Sequence, residues 1–517
     1  MDKIKSWISG AWRFALTQNK LEFVLLAAIL LLGAFMRLYK ISGYMTFLGD
    51  EGRDVLIVKR LLIEHHPPLI GPGTSIGNMY LGPAYYYMMA LPLLIFNFSP
   101  VGPAVFIAAL SIVTIFLIWK VIHEWFPTKN TNWGAFTGAF LYAISPVVII
   151  YSRSSWNPNI MPFFALLTIY AMWRVWQRHE YKWLLIVGAS FASVLQSHYL
   201  GLLLLPTLLI IWIITFIKSK NRKSLLINSA LGTFIFLLLM SPLVIFDYRH
   251  GWHNFAAIKD FFTTRQSTVS VKPWKAIPEM WPLLTNITTR LIAGMNMVIG
   301  LVVAIIFVFS FLYQYLIKKE VFKEKNLSVV ITLTLWIVTA LIGMGLYKQH
   351  IYDHYFGFVF AAPFIVVGAV VQSLINKKVG RIIAIIFIVV LTLINLANSP
   401  LKYSPNNQLE RAQVVAQKVL DISKGERFNF ALISDNNYDS AYRYYLNQYK
   451  ANVVDIDPGN TKDTVMSDLL VVCEKEKSKC DPTHNPKTEI SHFGMSKIVE
   501  TWDNVYGVTI FKLAHTK

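Results

Sequence analysis

Long apolar runs separated by short basic stretches dominate the chain. A membrane-crossing helix needs roughly 20 apolar residues, and runs near that length recur at 21–38, 104–118, 133–150, 160–173, 183–194, 202–217, 225–246, 291–317, 329–346, 356–375 and 382–396. They cease near residue 398. The pattern predicts a mainly α, polytopic membrane protein with about 11 crossing helices. One apolar segment is set aside: YLGPAYYYMMALPLLIFNF, residues 80–98, holds Gly82, Pro83 and Pro92 and is thick with tyrosine. Counted as a crossing it puts the loop charges out of phase, so it reads as a helix lying partly in the interface.

Charge then assigns sides. KVIHEWFPTKN, RVWQRHEYK, KSKNRKS, KKEVFKEK and KKVGR carry the loop Lys and Arg and face the cytoplasm by the positive-inside rule. YSRSSWNPN, QSHYLG, residues 247–289 and LYKQHIYDHYF face outward, as does the chain after Ser399. The basic amphipathic start, MDKIKSWISGAWRFALTQNK, is not followed by a cleavage pattern and reads as a cytoplasmic N-terminus leading into a retained span. A large first outer loop then runs from about residue 42 to 100, with the non-crossing helix inside it.

Beyond residue 398 the pattern changes. NNQLERAQVVAQKVLDISKG and YDSAYRYYLNQYK have helical spacing, while RFNFALIS and SDLLVVCE read as strands. The expected organisation is a transmembrane domain over 1–398 and a small extracytoplasmic α/β domain over 399–517. Its Cys473 and Cys480, the chain's two cysteines, form a local disulfide or remain free thiols; an oxidising compartment would favour the first.

Composition agrees with the membrane reading. Of 517 residues 55% are hydrophobic and only 15% charged, with a mean hydropathy of +0.48. The formal charge of +19 is spread through cytoplasmic loops, which argues against nucleic-acid binding.

The outer connections hold most of the unusual polar chemistry. Asp50, Glu51 and Asp54 cluster in TFLGDEGRDVLIVKRLL; Arg153, Trp156, Asn157 and Asn159 follow; then His198 and Tyr199; Asp247, Arg249, His250 and His253; and finally Lys348, His350, Tyr352, Asp353, His354 and Tyr355. Each alone could end a helix and snorkel to water. Acids, cations and aromatics concentrated on one face instead suit transfer from a lipid-linked glycosyl phosphate. Its leaving group is already an anion, so one carboxylate suffices to deprotonate an acceptor hydroxyl. Arg153, Lys348, His350 and His354 are candidates to hold the phosphate, and Tyr85, Trp156, Asn157, His198 and Tyr355 to contact sugar or acceptor.

Several of these stretches resemble the GT-C-type membrane glycosyltransferases, the group holding the protein O-mannosyltransferases and the aminoarabinose transferases of lipid A. The resemblance rests on the Asp50-Glu51 pair after the first span, GRDVLIVKRLLIEHHPPL, GPAYYYMMALP, YAISPVVIIYSRSSWNPN and HYFGFVFAAPFIVV. It implies two juxtamembrane helices, here residues 54–66 and 82–96, with Asp50 as catalytic base and Glu51 positioning it or contacting the acceptor; Asp54, about one helical turn further on, reads as a cap of the first helix. Inverting transfer at the outer face of a plasma membrane is implied, from a polyprenyl-phosphate donor to a glycan, lipid or protein. No cofactor is expected; were a divalent metal used, Glu51, Asp54 and Asp353 are the ligands to suspect. The rivals are a transporter or flippase of lipid-linked saccharides, disfavoured because no charge is expected buried in mid-span, and a noncatalytic receptor.

Overall fold

Helices follow the apolar runs. The computed structural model describes residues 20–74, 79–263, 268–313 and 324–516; the amphipathic start and most of KKEVFKEK lie outside them. Six described helices are long and apolar enough to cross a membrane: Lys20–Leu38 (α1), Val101–Trp125, Tyr199–Lys218, Arg222–Arg249, Leu327–Gly345 and Lys378–Ala397. The bent pair Asp353–Val359 and Ala361–Ile375 makes a seventh if taken as one span. The other expected crossings are shorter or broken, at Trp133–Ile144 with Pro146–Tyr151, Met161–Gln177, Trp183–Ser197 and Met297–Leu312.

The breaks have local causes. Pro146 forces Ser145 into an extended conformation and ends the helix before it. The apolar run at 291–317 is not one helix. Ile277–Leu291 ends there, and a turn with positive φ at Gly294 and Met295 precedes Met297–Leu312. Large apolar side chains remain exposed along Arg222–Arg249 and Lys378–Ala397, as lipid-facing helices require.

Buried charge does occur in the first span, at its ends rather than its middle. Arg37 is fully buried near the end of α1, where its guanidinium donates to Ser111 Oγ (2.8 Å) and to the carbonyls of Gly33, Ala143 and Tyr142. Those acceptors offset its desolvation. Glu22 at the other end accepts from the Asn132 N–H.

Between the first two long helices the described residues form, after a short turn of helix at Ile41–Tyr44, the helices Gly49–Ile63 (α2) and Ala84–Ile95 (α3). The expected start at residue 54 is therefore corrected by five residues, for reasons that lie in the site itself.

The C-terminal region places two helices, Gln408–Ser423 (α4) and Ser440–Gln448 (α5), against a four-stranded sheet. Its strands, β1 Asn429–Ile433, β2 Asp468–Cys473, β3 Ser496–Val505 and β4 Val508–His515, run in the order β1-β2-β4-β3. β1 and β2 are parallel and the other pairs antiparallel. The β3–β4 hairpin, missed in the sequence reading, turns at Tyr506-Gly507, both with positive φ. Cys473 and Cys480 form a disulfide. This region is not a loosely attached tail. Phe47, Val55, Val58, Tyr85 and Tyr86 share one buried cluster with Leu409, Val415, Tyr444, Leu470 and Ile510.

Candidate active site

α2 begins at Gly49 because its first N–H groups are satisfied there. The Leu48 N–H donates to Glu51 Oε2 (3.0 Å) and the Gly49 N–H to Asn437 Oδ1 (2.9 Å). Asp50 and Glu51 thus occupy the first helical turn, where the helix dipole favours carboxylates. Helix termination past Ile63 is followed by Pro67-Pro68, with His65 and His66 exposed between.

The three carboxylates divide by environment. Asp50 is partly open, its side chain 39% exposed, and pairs with Arg53 at 2.8 Å. Glu51 is buried, and desolvation pushes its carboxyl up to about 7 against the lowering effect of the Leu48 N–H. Asp54 is not a cap. It points between α2 and α3 with no exposure, accepting from Arg53 (2.7 Å) and the Tyr86 hydroxyl (3.2 Å). Burial raises it to about 6, opposed by Arg53, and its Oδ2 has no hydrogen-bond partner.

The connection after Tyr151 links this acidic cluster to an aromatic one through consecutive residues. Ser154 Oγ accepts from the Thr46 N–H (2.9 Å), the Ser155 and Tyr85 hydroxyls lie 2.6 Å apart, and the Trp156 ring sits 4.6 Å from His354. Asn157 anchors the loop by donating to the Ser197 carbonyl (2.7 Å). Around His354 gather His198, Tyr352 and Tyr355. His198 Nδ1 accepts from the Leu200 N–H, so the ring is neutral with its proton on Nε2. Tyr352 and His350 are exposed with their rings 4.5 Å apart, and Lys348 is exposed just before them.

Two expected roles change. Tyr85 is fully buried and offers no ring face to a sugar; its hydroxyl holds Ser155 instead. Arg153 is 2% exposed, its guanidinium donating to the Met36 and Tyr39 carbonyls and lying 4.4 Å from the Tyr44 ring centre. Its hydrogen-bonding capacity is directed at the end of α1 rather than at an open groove. His198 and Tyr355, although in the cluster, are also nearly covered. Trp156, His350, Tyr352, His354 and Lys348 present the reachable surface.

Several partners of these side chains carry little or no local sequence signal. Arg53, three residues after Asp50, was visible at helical spacing. Arg290 forms a two-pronged pair with Asp353, with Nε donating to Oδ1 at 2.7 Å, but nothing in either local sequence links residues so far apart. Among the described residues no group of three or more His, Cys, Asp or Glu is arranged to hold a metal. Of the suspected ligands, Asp353 is engaged by Arg290, whereas Asp54 Oδ2 is the one carboxylate oxygen here that is buried and without a partner.

Known proteins resemble this chain over part of its sequence and in its fold. The family model described as dolichyl-phosphate-mannose-protein mannosyltransferase matches residues 81–246, from the start of the Tyr-rich segment into the fourth long helix, Arg222–Arg249. No curated protein matches the chain in sequence. The fold is similar to that of the archaeal oligosaccharyltransferase AglB from Archaeoglobus fulgidus in complex with an inhibitory peptide and a dolichol-phosphate: TM-score 0.54 at 13% identity, covering 87% of this chain and 69% of that one. The apo form of an Archaeoglobus fulgidus oligosaccharyltransferase gives 0.56 at 13% identity, over 83% and 64%. ArnT from Cupriavidus metallidurans in the apo state aligns over 95% and 97% of the two chains at 13% identity, with a TM-score of 0.48. The likeness in fold rests on the two archaeal structures.

Proposed function

We propose, from the premise that this chain is a GT-C-type membrane glycosyltransferase, that it transfers a sugar from a polyprenyl-phosphate donor to an acceptor hydroxyl at the outer face of the membrane. The observation that carries this reading is the division among the carboxylates: Asp50 alone is open enough to meet an acceptor, while Glu51 and Asp54 are buried. Asp50 takes the acceptor proton as the acceptor oxygen bonds to the anomeric carbon. The bond from that carbon to the phosphate oxygen breaks with its electron pair, releasing polyprenyl phosphate with inversion.

The remaining groups hold reactants. Arg53 orients Asp50, and Glu51 fixes the first turn through the Leu48 N–H. Lys348 offers its charge to the donor phosphate, and the His350 and His354 rings offer N–H donors. Trp156 and Tyr352 supply ring faces to a sugar. Arg153 acts at one remove, setting the path of the chain from α1 toward α2. The proposed reaction needs no general acid, because the phosphate leaves as an anion, and it is written without a metal because YSRSSWNPN brings no Asp or Glu to the site.

The donor class is supported by the dolichyl-phosphate-mannose wording of the matching family model and by the dolichol-phosphate in the AglB complex. Polyprenyl-phosphate mannose is therefore the first donor to assay. We place the N-terminus in the cytoplasm and residues 399–517 outside. The loop charges support this, as does the Cys473–Cys480 disulfide, which suits an oxidising compartment. A structure of the protein soaked with a polyprenyl phosphate tests the arrangement. Phosphate beside Trp156, His354 and Asp50 is expected; phosphate on the cytoplasmic face contradicts it.

A further inference from the structure

The catalytic helix is capped from a domain that lies almost four hundred residues away in sequence. The Gly49 N–H donates to Asn437 Oδ1 across a separation of 388 residues. Asn437 cannot rotate freely, because its Nδ2 donates to both carboxylate oxygens of Glu474, at 3.0 and 3.1 Å. Glu474 is fixed in turn by the Tyr442 hydroxyl (2.6 Å) and by Arg411 (3.2 Å). Its neighbour Cys473 closes the disulfide to Cys480. A second tie of the same kind runs from the Phe47 N–H to Gln408 Oε1 (3.1 Å).

The surface around the cap is built to admit this contact. A Cβ placed on Gly49 would overlap Tyr438, and one placed on Gly52 would overlap the Ala441 backbone. Both glycines therefore face the C-terminal domain. Asp50, between them, is left partly open on the adjoining face with Arg53. The direction in which Asp50 projects depends on where the first turn of α2 is held.

We propose that Asn437, locked by Glu474, is a positioning residue for Asp50, so that the C-terminal domain sets the geometry of the base. This rests on the assignment of Asp50 above. The relay also has a chemical signature: acceptor and donor can be exchanged. In N437D/E474Q an aspartate oxygen still accepts from the Gly49 N–H, and the glutamine amide donates to its other oxygen, with net charge unchanged.

The test combines amide hydrogen exchange of the full chain in detergent with turnover of polyprenyl-phosphate mannose. N437A is expected to speed exchange across residues 48–53 and lower kcat by about tenfold while the donor KM changes less than about twofold. N437D, which sets two carboxylates against each other, should do the same, and N437D/E474Q should recover kcat to within about threefold of the parent. Unchanged exchange in N437A overturns the cap, and a double variant no better than N437D overturns the relay. Faster exchange with unchanged turnover would overturn Asn437 as a positioning residue for Asp50, whereas D50N in the same assay tests the assignment of Asp50 itself independently.

Discussion

Gly52 of α2 and Ala441 of α5 meet backbone to backbone, so closely that Gly52 has no room for a side chain. G52A therefore has to push α5 away from α2 against Ala441 main-chain atoms, not against a flexible side chain. Overpacking of this kind costs about 1–3 kcal/mol. The expected result is a lowered thermal midpoint in detergent and faster protease cleavage between residues 399 and 407, which join the last long helix to α4.

Glu51 predicts a pH dependence of stability. Its folded-state carboxyl sits near 7 against an ordinary 4.5, because burial disfavours its charged form. The folded protein thus binds the proton more tightly than the unfolded chain. The stabilisation is complete below about pH 4.5 and is lost as pH rises through about 7. The loss is on the order of 3 kcal/mol. E51Q keeps an oxygen acceptor for the Leu48 N–H and should flatten the fall in thermal midpoint between pH 5.5 and 8; an unflattened fall would assign the dependence elsewhere, Asp54 first.

Much of the fold was legible because lipid imposes a crude rule: apolar length found the six long helices among the described residues, while the other expected crossings are shorter, bent or broken. What was not legible depended on distant partners. The start of α2 was misread by five residues, since the carbonyl that caps Gly49 belongs to Asn437, and no local pattern announces it. Asp54 looked like a cap only while the helix was thought to begin there. The aromatic cluster was half visible: His198, His354, Tyr355 and Trp156 were named from three separate loops, and the structure brings them together. Exposure was the missing quantity. Tyr85 and Arg153 had the right chemistry for a sugar and a phosphate, but their neighbours in the fold cover them. The β3–β4 hairpin was passed over because β3 is largely solvent-exposed and carries no strong apolar face.

Trp156 tests the donor side of the site. Its ring is partly open and held against His354 at 4.6 Å. W156A is expected to raise the donor KM by about tenfold, the loss of about 1.5 kcal/mol of ring contact, with kcat reduced less. A fall in kcat at constant KM would instead make Trp156 part of the chemical step.

The central claim is that Asp50 removes the acceptor proton. D50N keeps the size of the side chain and an oxygen for Arg53, so the fold should persist, checked by an unchanged thermal midpoint in detergent. Sugar transfer from polyprenyl-phosphate mannose should fall by about a thousandfold, as expected when a general base is lost. Transfer by folded D50N within about tenfold of the parent rate would contradict the account.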